Sequence, residues 1–175
     1  MIKKIIVVSR RYVEKMLKEL ARINTIEGDW ALISIYNDKL LIDIKEMEIL
    51  KILGCDNHIS LRFDDITKNE YDIKIKDNPY LNLFTKDQAE YIINFINLII
   101  KNPKIKTLVI HCAAGISRSG AVGLFTCRYL HLSEYEFRAY NQQIHPNEYV
   151  FELLSDVAGL GENYMSFWEK PTQDD

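Results

Sequence analysis

Apolar residues along this chain fall into two patterns: short continuous runs, and positions spaced three or four apart. Residues 5–8 (Ile-Ile-Val-Val) form a run suited to a buried strand. Val13, Met16, Leu17 and Leu20 then recur at helical spacing and predict a helix over 12–21. Residues 30–36 and 58–63 read as two more strands, the latter ended by the turn-prone pair Asp64-Asp65. Between them, Met47, Ile49, Leu50 and Leu53 suggest a short helix. Residues 66–82 are polar and carry Asn69, Asp77, Asn78 and Pro79, so they read as a loop.

Thr85 with Gln88 three positions later is a capping-box pattern. It opens a predicted helix to about residue 101, stopped by Asn102-Pro103. Leu108, Val109 and Ile110 are continuously apolar, as a central parallel strand requires. Residues 119–130 read as a helix after a glycine-containing turn. Ser133 and Glu136 suggest a second capping box, and His145-Pro146-Asn147 opens a last helix with Val150, Leu153, Leu154 and Val157 on one face. Strands alternating with helices predict an α/β three-layer sandwich, its mostly parallel sheet of about four to five strands flanked by helices.

With 175 residues and no linker-like or repetitive segment, residues 1–175 are expected to form one domain, about the last eight residues being a flexible tail. The composition is 47% hydrophobic and 27% charged, that of a soluble globular protein. The most apolar run, 91–100, is interrupted by Asn94 and Asn97 and is too short for a membrane span. The apolar run after Lys3-Lys4 is too short for a signal peptide, so a cytoplasmic location is expected. A net charge of −3 without a basic stripe argues against nucleic acid as a partner. The three cysteines (Cys55, Cys112 and Cys127) are odd in number and contain no CxxC pair, which disfavours a disulfide framework or structural zinc.

The chemistry concentrates where the central strand meets the next helix. A turn there aims N–H groups at one point, and the helix N-terminus adds partial positive charge. Cys112 opens this turn and Arg118 closes it. The phosphate-binding loop is then Ala113, Ala114, Gly115, Ile116, Ser117 and Arg118, with small residues leaving room and Gly115 supplying backbone freedom. The guanidinium fork of Arg118 matches two phosphate oxygens. The same placement lowers the pKa of the thiol. His111 is expected to order the loop rather than act on the sulfur.

The run His111-Cys112-Ala113-Ala114-Gly115-Ile116-Ser117-Arg118-Ser119-Gly120 resembles the HCxxGxxR-[ST] signature of the protein tyrosine and dual-specificity phosphatase superfamily. More weakly, Leu61-Arg62-Phe63-Asp64-Asp65-Ile66 is similar to the acid loop of its small members, and Pro146-Asn147 to the region after the signature. The resemblance spans roughly residues 30–160, with only the signature specific. It implies the cysteine-phosphatase fold and a cysteinyl-phosphate intermediate on Cys112, without metal or cofactor. It also implies that Ser119 assists departure of the sulfur, and that Asp65 is the general acid, with Asp64 as fallback and Asp72 or Asp77 behind them. The substrate implied is a phosphorylated protein or peptide, phosphotyrosine first. The compact length suggests a shallow cleft that also admits phosphoserine and phosphothreonine. The expected assembly is a monomer.

Three rivals differ in chemistry. A phosphoinositide or other small-molecule phosphatase would favour lysines inside the loop, where this chain has Ala113, Ala114 and Ile116. A rhodanese-like sulfurtransferase lacks a need for the Arg118-Ser119 pair and an acid. A phosphoprotein-binding module would be expected to lack the Cys, the Arg or the acid. Outside the loop, Cys127 reads as core and Cys55 as a thiol with at most a redox role. Gln142 and Gln143 read as surface residues, Asn147 as a helix cap, and His131 and His145 as helix-end residues. Trp30, Tyr36 and Tyr80 read as core aromatics.

Overall fold

The computed structural model of the chain describes residues 2–22, 29–37, 50 and 57–160. Strand β1 (Lys4–Ser9) runs directly into helix α1 (Arg10–Arg22), whose Tyr12 N–H is met by the Ser9 hydroxyl at 3.3 Å. Strands β2 (Trp30–Tyr36) and β3 (His58–Arg62) follow, then α2 (Lys68–Lys74), α3 (Lys86–Ile99), β4 (Thr107–Cys112), α4 (Arg118–Tyr129), α5 (Glu134–Tyr140) and α6 (Glu148–Val157). The four strands form one sheet in the order β1-β4-β2-β3, every neighbouring pair parallel. The alternation read from the sequence is therefore an α/β fold with a parallel sheet.

Strand alternation divides the apolar residues between two faces. Ile5, Val7, Ile33, Ile35, Leu108, Ile110 and Cys112 enter the larger core, with Ile92 and Ile96 of α3, Leu124 and Phe125 of α4 and Phe151 and Leu154 of α6. Val109 and Leu32 face the other way, onto Val13 and Leu17 of α1 and Leu50. β4 is buried on both faces, which explains its uninterrupted apolar run.

One segment differs from its sequence reading. Residues 66–82 contain α2, which carries a complete capping box: Thr67 Oγ1 accepts from Glu70 N–H at 3.3 Å, and Glu70 Oε2 accepts from Thr67 N–H at 2.9 Å. This is the same pattern that announced α3, where Thr85 and Gln88 do the same. Polar composition concealed it, because α2 buries none of its residues and so has no apolar stripe. At α5, Ser133 caps Glu136 N–H, half of the expected box. Tyr80 is 82% exposed rather than core, while Tyr36 is buried and Trp30 half-buried. Apart from Leu50, the short helix expected around residues 47–53 lies outside the described residues.

The edge strand β1 is closed by a side chain that sequence patterning did not single out. Asn141 is fully buried at the end of α5. Its Oδ1 accepts from Val7 N–H at 2.7 Å, and its Nδ2 donates to Ile5 O at 3.0 Å and Phe137 O at 2.7 Å. Backbone groups at a sheet edge need partners, and Asn141 supplies them where no strand among the described residues pairs with that side of β1. Asn141→Ala strands two β1 groups at once. It is expected to cost about 3 kcal/mol, with roughly 1–3 kcal/mol for each buried polar group left unpaired. Urea unfolding checks this; an unchanged midpoint would show that water satisfies the edge equally well.

Candidate active site

β4 ends at Cys112 and α4 begins at Arg118, so residues 113–117 reverse the chain at the carboxyl edge of the sheet. Gly115 makes the reversal. Its φ is +75°, and a Cβ there would lie 2.3 Å from the carbonyl carbon of Val8 and 2.5 Å from the nitrogen of Ser9. Both the left-handed backbone and the close approach to β1 exclude a side chain.

The carbonyls of Ala113, Gly115, Ile116 and Ser117 are all hydrogen-bonded. Arg10 N–H donates to Ala113 O at 3.4 Å, His145 N–H to Ile116 O at 3.1 Å and Asn147 N–H to Ser117 O at 3.2 Å. Gln143 Nε2 donates to Val7 O at 2.8 Å and reaches Gly115 O at 3.5 Å. With its carbonyls so engaged, the loop directs amide hydrogens toward the sulfur. Gly115 N–H donates to Cys112 Sγ at 3.3 Å, and Ser119 Oγ lies 3.0 Å from the same sulfur.

Cys112 is 2% exposed. Burial alone raises a thiol's pKa, but the Ser119 hydroxyl and the amides of Ser119, Ile116 and Gly115 outweigh it, so the net shift is downward. Cys127 shows the opposite balance. Burial, reinforced by the charge of Glu134, pushes it up to about 12, and its thiol donates to Leu132 O at 3.6 Å. Cys127 is thus a core residue, as its place in α4 suggested; Cys55 lies outside the described residues.

Arg118 is buried, and its Nη1 donates to Phe63 O at 2.8 Å. Its Nε is buried without a hydrogen-bond partner among the described residues, a free donor of the kind an anion would satisfy. Ala113, Ala114 and Ile116 are exposed around the loop. His111 follows the strand alternation onto the opposite face from Cys112, where its ring meets Tyr36 edge-on with centroids 5.6 Å apart.

The two candidate acids separate clearly. Phe63 is buried against Phe84, centroids 4.6 Å apart, and Ile66 is buried too, so the intervening Asp64-Asp65 is held at both ends. Asp64 turns toward Asn82: its N–H donates to Asn82 O at 2.8 Å, and its Oδ2 accepts from Asn82 N–H at 2.7 Å. Asp65 turns to the loop, where its Oδ1 accepts from Ser117 Oγ at 2.6 Å and Asn147 Nδ2 at 2.9 Å. Asp72 lies in α2 and pairs with Lys68 at 3.7 Å. Asp77 donates its N–H to Lys74 O at the end of that helix.

Two residues do more than their sequence reading allowed. Gln142 and Gln143 are both exposed, as read, and Gln143 also braces the loop against β1. Asn147 is the expected helix cap, accepting from Val150 N–H at 3.1 Å, and it also holds Asp65. A signal for the second role was present: capping uses the amide oxygen of an Asn and leaves its NH₂ available. His131 sits at a helix end with φ +52°, and His145 contributes its backbone to the loop.

No family model matches the sequence, and no curated protein does. Solved structures do share the architecture. Tk-PTP in its active form matches with a TM-score of 0.51 at 20% identity, over 83% of this chain and 86% of that one. The PTP-2 phosphatase of Cydia pomonella matches with a TM-score of 0.51 at 20% identity, over 87% of this chain and 84% of that one. The fold is therefore one shared with solved phosphatase structures, as the signature loop implied.

Gly115→Ala is expected to deform the loop. The left-handed conformation alone costs about 1–2 kcal/mol, before the contact with β1 is counted. Stabilisation of the protein by vanadate or tungstate in thermal unfolding should disappear; full retention would mean that the loop does not need this backbone shape.

The cysteines should also differ in reactivity. A lowered pKa leaves more thiolate at pH 7, so the iodoacetamide reaction at Cys112 should keep its rate down to a pH well below the ordinary thiol value of about 8.5. Cys127 should stay unmodified across that range. Peptide mapping by mass spectrometry separates the two, and a Cys112 rate that rises only above pH 8 would contradict the assignment.

Proposed function

We propose that this protein is a cysteine-dependent phosphatase acting on phosphotyrosine in proteins, with phosphoserine and phosphothreonine as further substrates. The observation that carries this reading is the convergence on one loop of a thiol with depressed pKa, a buried arginine and a carboxylate from a separate strand end. The fold shared with solved phosphatases supports it. Residues 1–175 would act as one phosphatase domain in the cytoplasm, where thiols stay reduced. Among the described residues, no helix is long and apolar enough to cross a membrane.

The reaction proceeds in two displacements. The loop amides and Arg118 hold the non-bridging oxygens of the phosphoryl group, neutralising charge in place. Cys112 thiolate attacks phosphorus, and the S–P bond forms as the ester P–O bond breaks. The released electron pair stays on the ester oxygen, which takes a proton from Asp65 and departs as an alcohol or phenol. Water then attacks phosphorus and gives its proton to the Asp65 carboxylate. The S–P bond breaks, its electron pair returns to sulfur, and inorganic phosphate leaves. The Ser119 hydroxyl, 3.0 Å from the sulfur, stabilises that returning charge. Alanines and an isoleucine on the loop, rather than lysines, favour a phosphorylated side chain over a polyanionic inositol phosphate.

Turnover of para-nitrophenyl phosphate across pH tests the assignment. Cys112→Ser is expected to abolish it. Asp65→Asn is expected to lower kcat by about 10²-fold and remove the basic limb, the scale of a lost general acid. Asp64→Asn should keep that limb, since Asp64 is spent on Asn82. Activity surviving in Cys112→Ser, or equal mild losses in both Asp variants, would overturn the mechanism. Preference for inositol phosphates over phosphotyrosyl peptides would overturn the substrate class.

A further inference from the structure

Resting on the phosphatase reading, we propose that Asn147 is a positioning residue that decides which oxygen of Asp65 carries the catalytic proton. Two donors converge on a single oxygen of this carboxyl group: Ser117 Oγ at 2.6 Å and Asn147 Nδ2 at 2.9 Å both bond Oδ1. No described residue donates to Oδ2. In a neutral carboxylic acid one oxygen accepts and the other bears the hydrogen. An oxygen receiving two donors is the acceptor, so the proton resides on Oδ2. In the first displacement Oδ2–H is then the group that gives its proton to the ester oxygen. In the second, the same Oδ2, now ionised, receives the proton of the attacking water while Oδ1 remains held.

Asn147 suits this task because its own amide is immobilised. Its Oδ1 is engaged by Val150 N–H at 3.1 Å, which orients the amide plane and so directs Nδ2. Its backbone N–H is tied to Ser117 O at 3.2 Å, and the residue is 9% exposed. One side chain thus references the acid to the start of α6 and its backbone to the phosphate loop. Ser or Asp in its place would also cap the helix. Ser is too short to reach Asp65, and Asp presents an oxygen where a donor is needed.

Asn147→Ser tests the idea, since the cap is retained; Asn147→Asp serves if the Ser variant does not fold. The readout is kcat/KM for a series of aryl phosphates of rising leaving-group pKa, measured in wild-type and Asp65→Asn backgrounds. Loss of acid alignment is expected to cost about tenfold on phenyl phosphate, part of the 10²–10⁴-fold that general acids contribute. The loss should shrink steadily as the leaving group becomes more acidic. In the Asp65→Asn background, where no proton remains to aim, the Asn147 change should have no further effect. An equal loss on every ester, or an undiminished loss without Asp65, would make Asn147 a structural residue only and leave the phosphatase reading standing. If Asp65→Asn itself shows no dependence on the leaving group, the acid assignment fails and this inference fails with it.

Discussion

A thiol at 2% exposure can have its pKa lowered only where hydrogen-bond donors replace the water that its ionised form would lose. Everything around Cys112 serves that requirement. Gly115 takes a left-handed turn against the end of β1, and the carbonyls of Ala113, Gly115, Ile116 and Ser117 are bonded by Arg10, Gln143, His145 and Asn147. The amides of Gly115, Ile116 and Ser119 are thereby committed to the sulfur. Cys127 provides an internal comparison: there burial, reinforced by the charge of Glu134, prevails and the pKa is driven the other way.

The loop depends in turn on parts of the chain distant in sequence. β1 seats it because Ser9 stands beside Cys112 in the parallel register. β1 holds its place at the sheet edge because Asn141 and Gln143 pair its free backbone groups. The strand end that carries Asp65 is tied in twice, by Arg118 to Phe63 O and by Ser117 and Asn147 to Asp65. The groups proposed as nucleophile, anion grip and acid are thus linked by hydrogen bonds rather than merely adjacent, which is the condition for reacting groups to be held in line. Ser117 illustrates the economy of the arrangement. It stands at the N-cap of α4 but makes no side-chain cap bond, its hydroxyl being given to Asp65.

Much of this was legible from residue order. The strand limits follow from apolar runs, the central position of β4 from its lack of alternation, and the start of α3 from Thr85 and Gln88. α2 was missed although Thr67 and Glu70 announce it equally well, because a helix lying on the surface has no apolar stripe to be read. Tyr80 was misplaced for the converse reason: aromatic character suggests burial, yet only packing neighbours decide it.

Local order along the chain determined the strand–turn–helix with Cys112 at its start, Arg118 at its end and a glycine between, since such turns are built from adjacent residues. It also pointed to the neighbours Asp64 and Asp65 as acid candidates, with the resemblance placing Asp65 first. The partners of the two differ, Asn82 for Asp64 and Ser117 with Asn147 for Asp65, residues 18, 52 and 82 positions away. Contacts of that separation depend on how the layers stack. The spacing of residues along one segment says nothing of them, and for that reason the second roles of Asn141, Gln143 and Asn147 emerge only in three dimensions.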